Sequence, residues 1–269
     1  PYLGAIQSVA ESYRNLVSVG AQPLAITNCL NFGNPEKREI MGQFVETIKG
    51  MRLASQKLLL PIVSGNVSFY NETNNKNIPP TPQIGAVGVI EDYRKITTIN
   101  SFSDNNILYV VGKTEGHLSA SAYERILLNF SKIKDSSVPP FTDLEMELKI
   151  SKIIMKLIKK SLITACHDVS DGGLLMSILE MCLEGETGFK FSNLPNNHKF
   201  LFGEDQSRYL VAIETSKVNE VNRTLEKSNI YYKKLGYFSK ENQILKFPDK
   251  SSINLNIIKK IRKNWENMV

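Results

Sequence analysis

The residues best suited to ligand chemistry lie in the segment 64–72, which reads Ser-Gly-Asn-Val-Ser-Phe-Tyr-Asn-Glu. An apolar run precedes it at residues 58–63 and predicts a buried strand. Gly65, at the end of that strand, allows the backbone to approach a ligand closely. Asn66 offers an amide oxygen and Ser68 a hydroxyl, and such oxygens suit a phosphate accompanied by Mg²⁺. A strand that simply ends in a polar turn explains the same residues, so the segment alone leaves both interpretations open.

Composition limits the class of protein. The chain has 269 residues, of which 42% are hydrophobic, and this is enough for one large domain or two ordinary ones. No apolar run has the length of a membrane span and the first residues do not resemble a secretory signal, so we expect a cytoplasmic protein without a membrane partner. The three cysteines are far apart, which favours reduced thiols.

The formal charge of +6 comes partly from lysine-rich stretches such as residues 149–160. These stretches are interleaved with apolar residues at regular spacing and lack aromatic stacking residues. We therefore expect solvated surfaces there and no nucleic acid partner.

Regular patterns around the segment predict the elements that must position it. Apolar spacing predicts a helix over residues 2–19, a short strand follows at residues 24–27, and residues 28–34 are predicted to be a polar loop. Asn34 is predicted to cap a second helix. The predicted inward stripe of that helix comprises Met41, Phe44, Val45, Ile48, Met51 and Leu58. A hairpin and a strand are expected at residues 71–77 and 84–90.

The second half mixes strands and helices, which predicts an α+β (mixed α/β) class. A boundary near residues 100–104 would divide the chain into domains 1–102 and 103–269. A capping box at residues 142–145 predicts the start of a long helix. Further helices are predicted at residues 119–130, 174–183, 216–227 and near the C-terminus, and strands at residues 107–111, 163–166, 188–191, 208–214 and 231–238.

Several ordered motifs together carry a family resemblance. They are GAQPLAITNCLNFGNPEK at residues 20–37 and the motifs at residues 63–72, 79–89, 168–174 and 202–208. The chain closely resembles the large synthetase subunit of the small, multi-subunit bacterial type of phosphoribosylformylglycinamidine synthase. The resemblance covers nearly the whole chain but only the C-terminal portion of that subunit. It implies an incomplete N-terminal-type domain, like that of aminoimidazole ribonucleotide synthetase, followed by the C-terminal-type α/β domain.

The resemblance implies an ATP-dependent ligase of purine biosynthesis. In that family, formylglycinamide ribonucleotide is activated as an iminophosphate, and ammonia from a partner glutaminase subunit displaces phosphate to give the amidine. Such phosphoryl transfer needs Mg²⁺ and well-placed hydrogen-bond donors. The implied partners are the missing N-terminal half of the synthetase, the glutaminase subunit and a small bridging subunit. Because the family's catalytic histidines lie in the missing half, we expect no catalytic residue in this chain and no activity of the chain alone.

The resemblance also implies roles for particular residues. Asn28 and Gly65 match ATP-contacting positions, Asn66 matches a Mg²⁺-contacting position, and Ser68 matches a substrate contact. Many relatives have Asp at the position of Asn28, and Asn keeps the acceptor oxygen without the charge.

For several other polar residues, a structural role explains the sequence at least as well as a functional one. Asp168 and Asp171 precede two glycines, which favours helix capping and a tight turn, although by internal similarity Asp168 also matches a Mg²⁺ position of the first half. Residues 204–206 match a substrate-contacting triplet in the same indirect way, and a solvated turn explains them equally well. Adjacent strand residues point to opposite faces, so we expect His167 to be a satisfied, buried histidine rather than a zinc ligand.

Two rival functions remain open on the sequence. The chain could be a structural or docking half without productive nucleotide contacts, or another ATP-using member of the same superfamily. The second rival is disfavoured because those relatives lack the motif at residues 30–37.

Overall fold

Two main β-sheets, one in each half of the chain, form the framework, and helices pack against them. The computed structural model describes residues 1–128, 137–192, 197–240 and 243–266. The elements of the first half are α1 (Tyr2–Ser18), β1 (Gln22–Asn31), α2 (Arg38–Leu58), β2 (Ile62–Ser68), β3 (Glu72–Thr73), β4 (Lys76–Asn77) and β5 (Thr81–Val89). Within the described residues, no helix is both long and apolar enough to cross a bilayer.

The first sheet has the order β2-β1-β5, with β1 parallel to β2 and antiparallel to β5. Side chains alternate along a strand, so Ile26 and Leu30 of β1 share one face, and there they join the buried core with α1 and α2. The opposite face, which we call the open face, stays partly exposed and is mostly polar. It carries Thr27, Cys29, Asn31, Ser64, Asn66, Ser68, Thr81 and Gln83.

The second sheet has seven strands in the order β12-β11-β8-β10-β6-β9-β7. The strands are β6 (Ile107–Val111), β7 (Ala165–Asp168), β8 (Gly188–Phe191), β9 (Tyr209–Ile213), β10 (Tyr232–Ser239), β11 (Ile244–Lys246) and β12 (Ser252–Asn254). The helices are α3 (Ala122–Leu128), α4 (Leu144–Lys159), α5 (Gly173–Glu184), α6 (His198–Phe202), α7 (Val218–Lys227) and α8 (Leu255–Glu266). Part of the helix predicted at residues 119–130 lies outside the described residues.

Strand β9 shows how the second sheet is covered on both faces. All of its residues are buried, as expected of a strand with helices on either side. Tyr209, Val211 and Ile213 belong to one core with α4 and α7, whereas Leu210 and Ala212 belong to a second core with α5. The first of these cores continues into α1 and α2, so apolar packing is continuous across the two halves.

The predicted polar loop at residues 28–34 is wrong for its first part, because β1 continues to Asn31. Both neighbours hold it extended, since Asn31 pairs with Ser68 on one side and with Thr81 on the other. The polar side chains are tolerated because Cys29 and Asn31 point to the open face.

The predicted buried strand at residues 58–63 is also wrong. Leu58 ends α2, and Leu59 follows in the left-handed conformation with φ of 58°. Strand β2 begins only at Ile62 and forms the edge of its sheet, so Val63 is 69% exposed. An apolar run without periodicity does not distinguish a helix end from a strand.

Helix α2 begins at Arg38 rather than at the predicted Asn34 cap. Asn34 instead closes a turn by accepting from the main-chain nitrogen of Glu36 at 2.9 Å. Of the predicted inward stripe, Met51 and Leu58 are buried. The other aliphatic members are about two-fifths exposed along the outer side of the helix, and they are Met41, Val45 and Ile48.

Candidate functional site

Asn28 and Gly65 are register partners on the adjacent parallel strands β1 and β2. A methyl group on Gly65 would overlap the side-chain oxygen of Asn28 and come within 2.9 Å of its main-chain oxygen. Glycine is therefore required for this close approach, and the Asn28 carboxamide rests on the β2 backbone. The structure brings these two residues together, but within strands rather than in a loop.

Asn66 and Ser68 lie on the open face, where they pair with Cys29 and Asn31. The amide nitrogen of Asn71 lies 3.2 Å from the Ser68 hydroxyl and donates to the Ser68 carbonyl oxygen at 3.0 Å. The side chain of Asn66 is exposed and makes no hydrogen bond with the described residues. Ser68 is thus fixed by its neighbours, whereas the Asn66 amide is available to a ligand.

The sequence-predicted contacts therefore divide between the two faces of the sheet. Asn28 and Gly65 face the helices, and Asn66 and Ser68 face the open side. Asn66, but not Ser68, meets Asn28 and Gly65 at the unpaired edge of β2. A groove of about 410 Å³ there is lined by Asn28, Gly65 and Asn66, together with apolar residues of β2 and α2. The site is thus an extended strand edge rather than the turn that the sequence predicted.

Sequence reasoning missed a cation beside this edge. Arg52 of α2 lines a neighbouring groove of about 330 Å³ that also includes Asn28. Its guanidinium makes no ion pair or hydrogen bond with the described residues, and the residue is exposed. An unpaired guanidinium suits a phosphate oxygen. The position of Arg52 near this groove could have been predicted from the sequence, because Arg52 lies one turn after Ile48 on the same side of α2.

The residues at this edge supply only part of the ligand set that Mg²⁺ needs. Asn66 contributes one neutral oxygen, whereas Mg²⁺ requires an octahedral shell that it usually completes with carboxylates, phosphates and water. Among the described residues there is no group of three or more His, Cys, Asp or Glu side chains that could hold a metal. This edge can therefore hold the ion only jointly with a phosphate or with ligands from another polypeptide.

A second polar cluster forms where α1 meets β7. The His167 ring donates from Nε2 to the Glu180 carboxylate at 2.9 Å and lies 3.4 Å from Asp168, so the predicted satisfied histidine is confirmed, although it is only partly buried. With its amide nitrogen turned toward Asp168, Asn15 donates to both carboxylate oxygens at 3.0 and 3.2 Å. Glu11 lies one helical turn before Asn15, on the same side of α1. The sequence analysis missed Glu11 and Asn15.

Electrostatic coupling links the members of this cluster. Burial disfavours a charged His167, but its bonds to Asp168 and Glu180 outweigh burial and raise its pKa to about 9. Burial acts to raise the pKa of Asp168, yet the hydrogen bond from His167 and the charge of Arg14 hold it below its ordinary value. Partial desolvation raises the pKa of Glu11, the charge of Arg14 opposes this, and the charges of Asp168 and Asp171 raise the pKa further, although the residue as a whole is exposed.

The predicted solvated turn at residues 204–206 is wrong, because Glu204 and Asp205 are buried. Glu204 accepts from the main-chain nitrogens of Ala122 and Gly172 at 2.8 and 2.7 Å, at the starts of α3 and α5. Burial raises its pKa despite these donors. Glu204 thereby supplies the helix-capping role predicted for Asp168 and Asp171, whereas the predicted tight turn is confirmed at Gly172 with φ of 75°.

Asp205 and Gln206 also form hydrogen bonds with other residues of the chain. Asp205 accepts from three successive main-chain nitrogens, those of residues 115–117, at 2.9–3.1 Å. Gln206 accepts from Arg14 of α1 at 2.9 Å. The triplet therefore holds loops and joins the two halves in this structure.

Comparison with known proteins identifies the family of the chain. Residues 1–90 match the family described as AIR synthase related protein, N-terminal domain, and residues 103–245 match AIR synthase related protein, C-terminal domain. The chain belongs to the AIR synthase related family. The family resemblance and the mixed α/β fold class predicted from the sequence are both confirmed.

Two AIR synthase related proteins illustrate the sequence similarity. The chain is 43% identical over 268 residues to phosphoribosylformylglycinamidine synthase subunit PurL of Pelagibacter ubique, covering 98% of this chain and 36% of that protein. It is 46% identical over 239 residues to the same subunit of Azorhizobium caulinodans, covering 88% and 32%. The chain thus spans about a third of the length of these relatives and corresponds to a C-terminal fragment of PurL.

Solved structures show the same fold. Thermotoga maritima PurL complexed with FGAR superposes with a TM-score of 0.74 at 14% identity, covering 96% of this chain and 43% of that one. The hydrogenase maturation protein HypE of E. coli gives a TM-score of 0.70 at 13% identity, covering 93% and 78%. At such identities the likeness concerns the fold alone.

Proposed function

We propose that this chain is the C-terminal part of an ATP-dependent ligase of purine biosynthesis. The enzyme would convert formylglycinamide ribonucleotide into formylglycinamidine ribonucleotide with ammonia derived from glutamine. The observation that carries the proposal is the similarity to PurL subunits at 43% identity over 98% of the chain. Solved PurL structures complexed with FGAR and with ATP support it at the level of the fold. A cytoplasmic location belongs to the same proposal.

The β2 edge offers suitable contacts for such a reaction. The bare Gly65 backbone and the Asn28 carboxamide would contact ATP, and Ser68, fixed by Asn71, would contact the substrate. Asn66 would offer its amide oxygen to Mg²⁺, which neutralises charge on the transferring phosphoryl group when bound. Arg52 adds a positive charge beside Asn28.

The remaining ligands and the acid–base groups would come from the missing N-terminal half. Strand β2 presents its unpaired side, and the adjoining open face is polar and only partly covered, as expected of a surface completed by another polypeptide. The glutaminase subunit and the small bridging subunit would complete the enzyme. On this proposal the chain alone lacks activity.

Reconstitution tests the proposal. The chain is combined with the remaining part of the synthetase, the glutaminase and the bridging subunit, and amidine formation is followed with ATP and glutamine. Asn66→Ala and Ser68→Ala are expected to lower kcat/KM by at least tenfold. Gln83→Ala removes an exposed amide from the far strand of the same open face and serves as the matched control.

The outcomes separate the proposal from its rivals. If the assembly is active but Asn66→Ala and Ser68→Ala behave like Gln83→Ala, the chain is a structural or docking half. If the assembly forms and binds ATP but makes no amidine, another ATP-using reaction of the superfamily becomes the better assignment.

A further inference from the structure

A cleft with a different chemical character lies between the two halves, away from the β2 edge. Its volume is about 500 Å³, and its walls come from α1, the start of β1, the end of α2 and one side of α4. Four of the lining residues are lysines, three from α4 and Lys160 directly after it, and none of the described lining residues is acidic. The lysine-rich stretch 149–160 therefore does more than form the solvated face that the sequence predicts, because part of it borders a concave surface.

The lysines of the cleft differ in their pairing. Lys159 pairs with Glu91 at 3.2 Å, and Lys160 lies 4.0 Å from Glu220. Lys152 and Lys156 make no ion pair or hydrogen bond with the described residues, although they lie one helical turn apart. Two like charges at this spacing repel each other, so a bound anion would relieve their repulsion.

A tyrosine hydroxyl lies in the same cleft. Tyr13 lines it and is only 5% exposed, and its hydroxyl makes no hydrogen bond with the described residues. Burial, together with the negative charge of Glu147, raises the pKa of Tyr13, so the hydroxyl keeps its proton and can donate. The ring of Tyr13 is buried, whereas its hydroxyl reaches the cleft and can donate to a ligand oxygen there.

The remaining wall of the cleft is apolar. Leu58 and Met155 are buried beneath it, and Leu59 is 73% exposed at its rim. Leu59 is held there by its left-handed conformation at the end of α2, which turns the chain toward Leu60. A cleft that combines unpaired cations, a hydroxyl donor and an apolar wall suits a ligand with an anionic end and a hydrophobic body.

We propose that this cleft binds an organic phosphate, with the phosphate between Lys152 and Lys156 and the apolar part against Leu58, Leu59 and Met155. The Tyr13 hydroxyl would donate to a phosphate or ester oxygen. This site shares no lining residue with the groove that contains Asn28, Gly65 and Asn66. It is therefore independent of the proposed nucleotide contacts.

Calorimetric titration of the full chain with naphthyl phosphate tests the proposal, with naphthol and inorganic phosphate as separate titrants. Naphthyl phosphate is expected to bind more tightly than either. The double variant Lys152→Gln/Lys156→Gln should weaken its binding by roughly tenfold or more, because charge-assisted bonds are lost. Tyr13→Phe should weaken it by roughly 2- to 10-fold, as for one hydrogen bond.

Lys149→Gln is the matched control, since Lys149 lies on the same helix but contacts Asn229 outside the cleft. The proposal is overturned if the double variant binds naphthyl phosphate as well as the control does. It is also overturned if naphthol or inorganic phosphate binds as tightly as naphthyl phosphate, because the cleft would then recognise only one half of the ligand. Thermal unfolding of each variant verifies that it is folded.

Discussion

The contact between Asn28 and Gly65 determines the shape of the β2 edge. Gly65→Ala is expected to lower the free energy of unfolding by about 1–3 kcal/mol, because the added methyl group must displace the Asn28 carboxamide. Combining it with Asn28→Ala should destabilise less than the sum of the single changes, since the smaller side chain frees the space. Urea unfolding of the single and double variants measures both effects.

Gly42 provides the control for this prediction, because a methyl group there would meet no atom within 4 Å. Gly42→Ala lies inside α2 and should be neutral or stabilising by up to about 1 kcal/mol. Equal stability of Gly65→Ala and Gly42→Ala would show that the Asn28 carboxamide moves aside freely.

His167 should make stability depend on pH. Its pKa is raised from 6.5 to about 9 in the folded chain, so its contribution is fully present below pH 6.5 and is lost as the pH rises through 9. The shift corresponds to at most about 3 kcal/mol. Urea unfolding at several pH values should show this decline, and His167→Gln should flatten it. His198→Gln, at an exposed position, should leave the decline unchanged.

At the scale of residues, the sequence predicted which polar side chains were candidates, but not which of them lie close together in the fold. Asn66 and Ser68 were predictable as neighbours because they are two residues apart in an extended chain. The approach of Asn15 to Asp168 was not predictable, because it depends on how α1 packs beside β7. Long-range packing of this kind leaves no local periodic signal.

At the scale of elements, β6 and β8 were predicted with the bounds that the structure has, and α1 and α5 to within one residue at each end. Each has a regular apolar pattern that tertiary contacts reinforce. Strand β1 was predicted too short, because pairing with both neighbours extends it through residues with weak strand propensity. Strands β11 and β12 were missed, and each is only three residues long.

The start of α4 shows how two adjacent polar residues can differ in role. Asp143 accepts from the main-chain nitrogens of Glu145 and Met146 at 3.0 Å, whereas the buried hydroxyl of Thr142 has no hydrogen-bond partner within the part of the chain that the structure describes. Asp143→Ala is therefore expected to cost about 1 kcal/mol. Thr142→Val should be neutral or stabilising, since it removes an unsatisfied hydroxyl without changing the shape. Thermal unfolding compares the stabilities of the two variants. A larger loss of stability for Thr142→Val than for Asp143→Ala would show that Thr142, and not Asp143, caps α4.

At the scale of the whole molecule, a buried ion pair joins the two halves. Arg14 of α1 donates to Glu147 of α4 at 2.7 Å, and the two side chains are 1% and 0% exposed. Ser207 donates to the same carboxylate oxygen at 2.7 Å, and Gln206 accepts from Arg14. Among the described residues, the Nε atom of Arg14 and the other oxygen of Glu147 have no hydrogen-bond partner, so the pair is incompletely satisfied. Such a pair is a weak source of net stability, because removing the two charges from water offsets much of their attraction.

Replacing one member of this pair should therefore be far more harmful than replacing both. Arg14→Met or Glu147→Leu alone is expected to cost about 3–5 kcal/mol, because each leaves an uncompensated buried charge. The double variant should recover much of that loss, since apolar side chains fill the same space between α1 and α4. Calorimetric unfolding gives the stabilities, and hydrogen exchange of the α1 and α4 amides reports whether the halves still unfold together. A double variant no more stable than either single variant would instead identify the ion pair as a net source of stability, because apolar side chains would then fail to replace it.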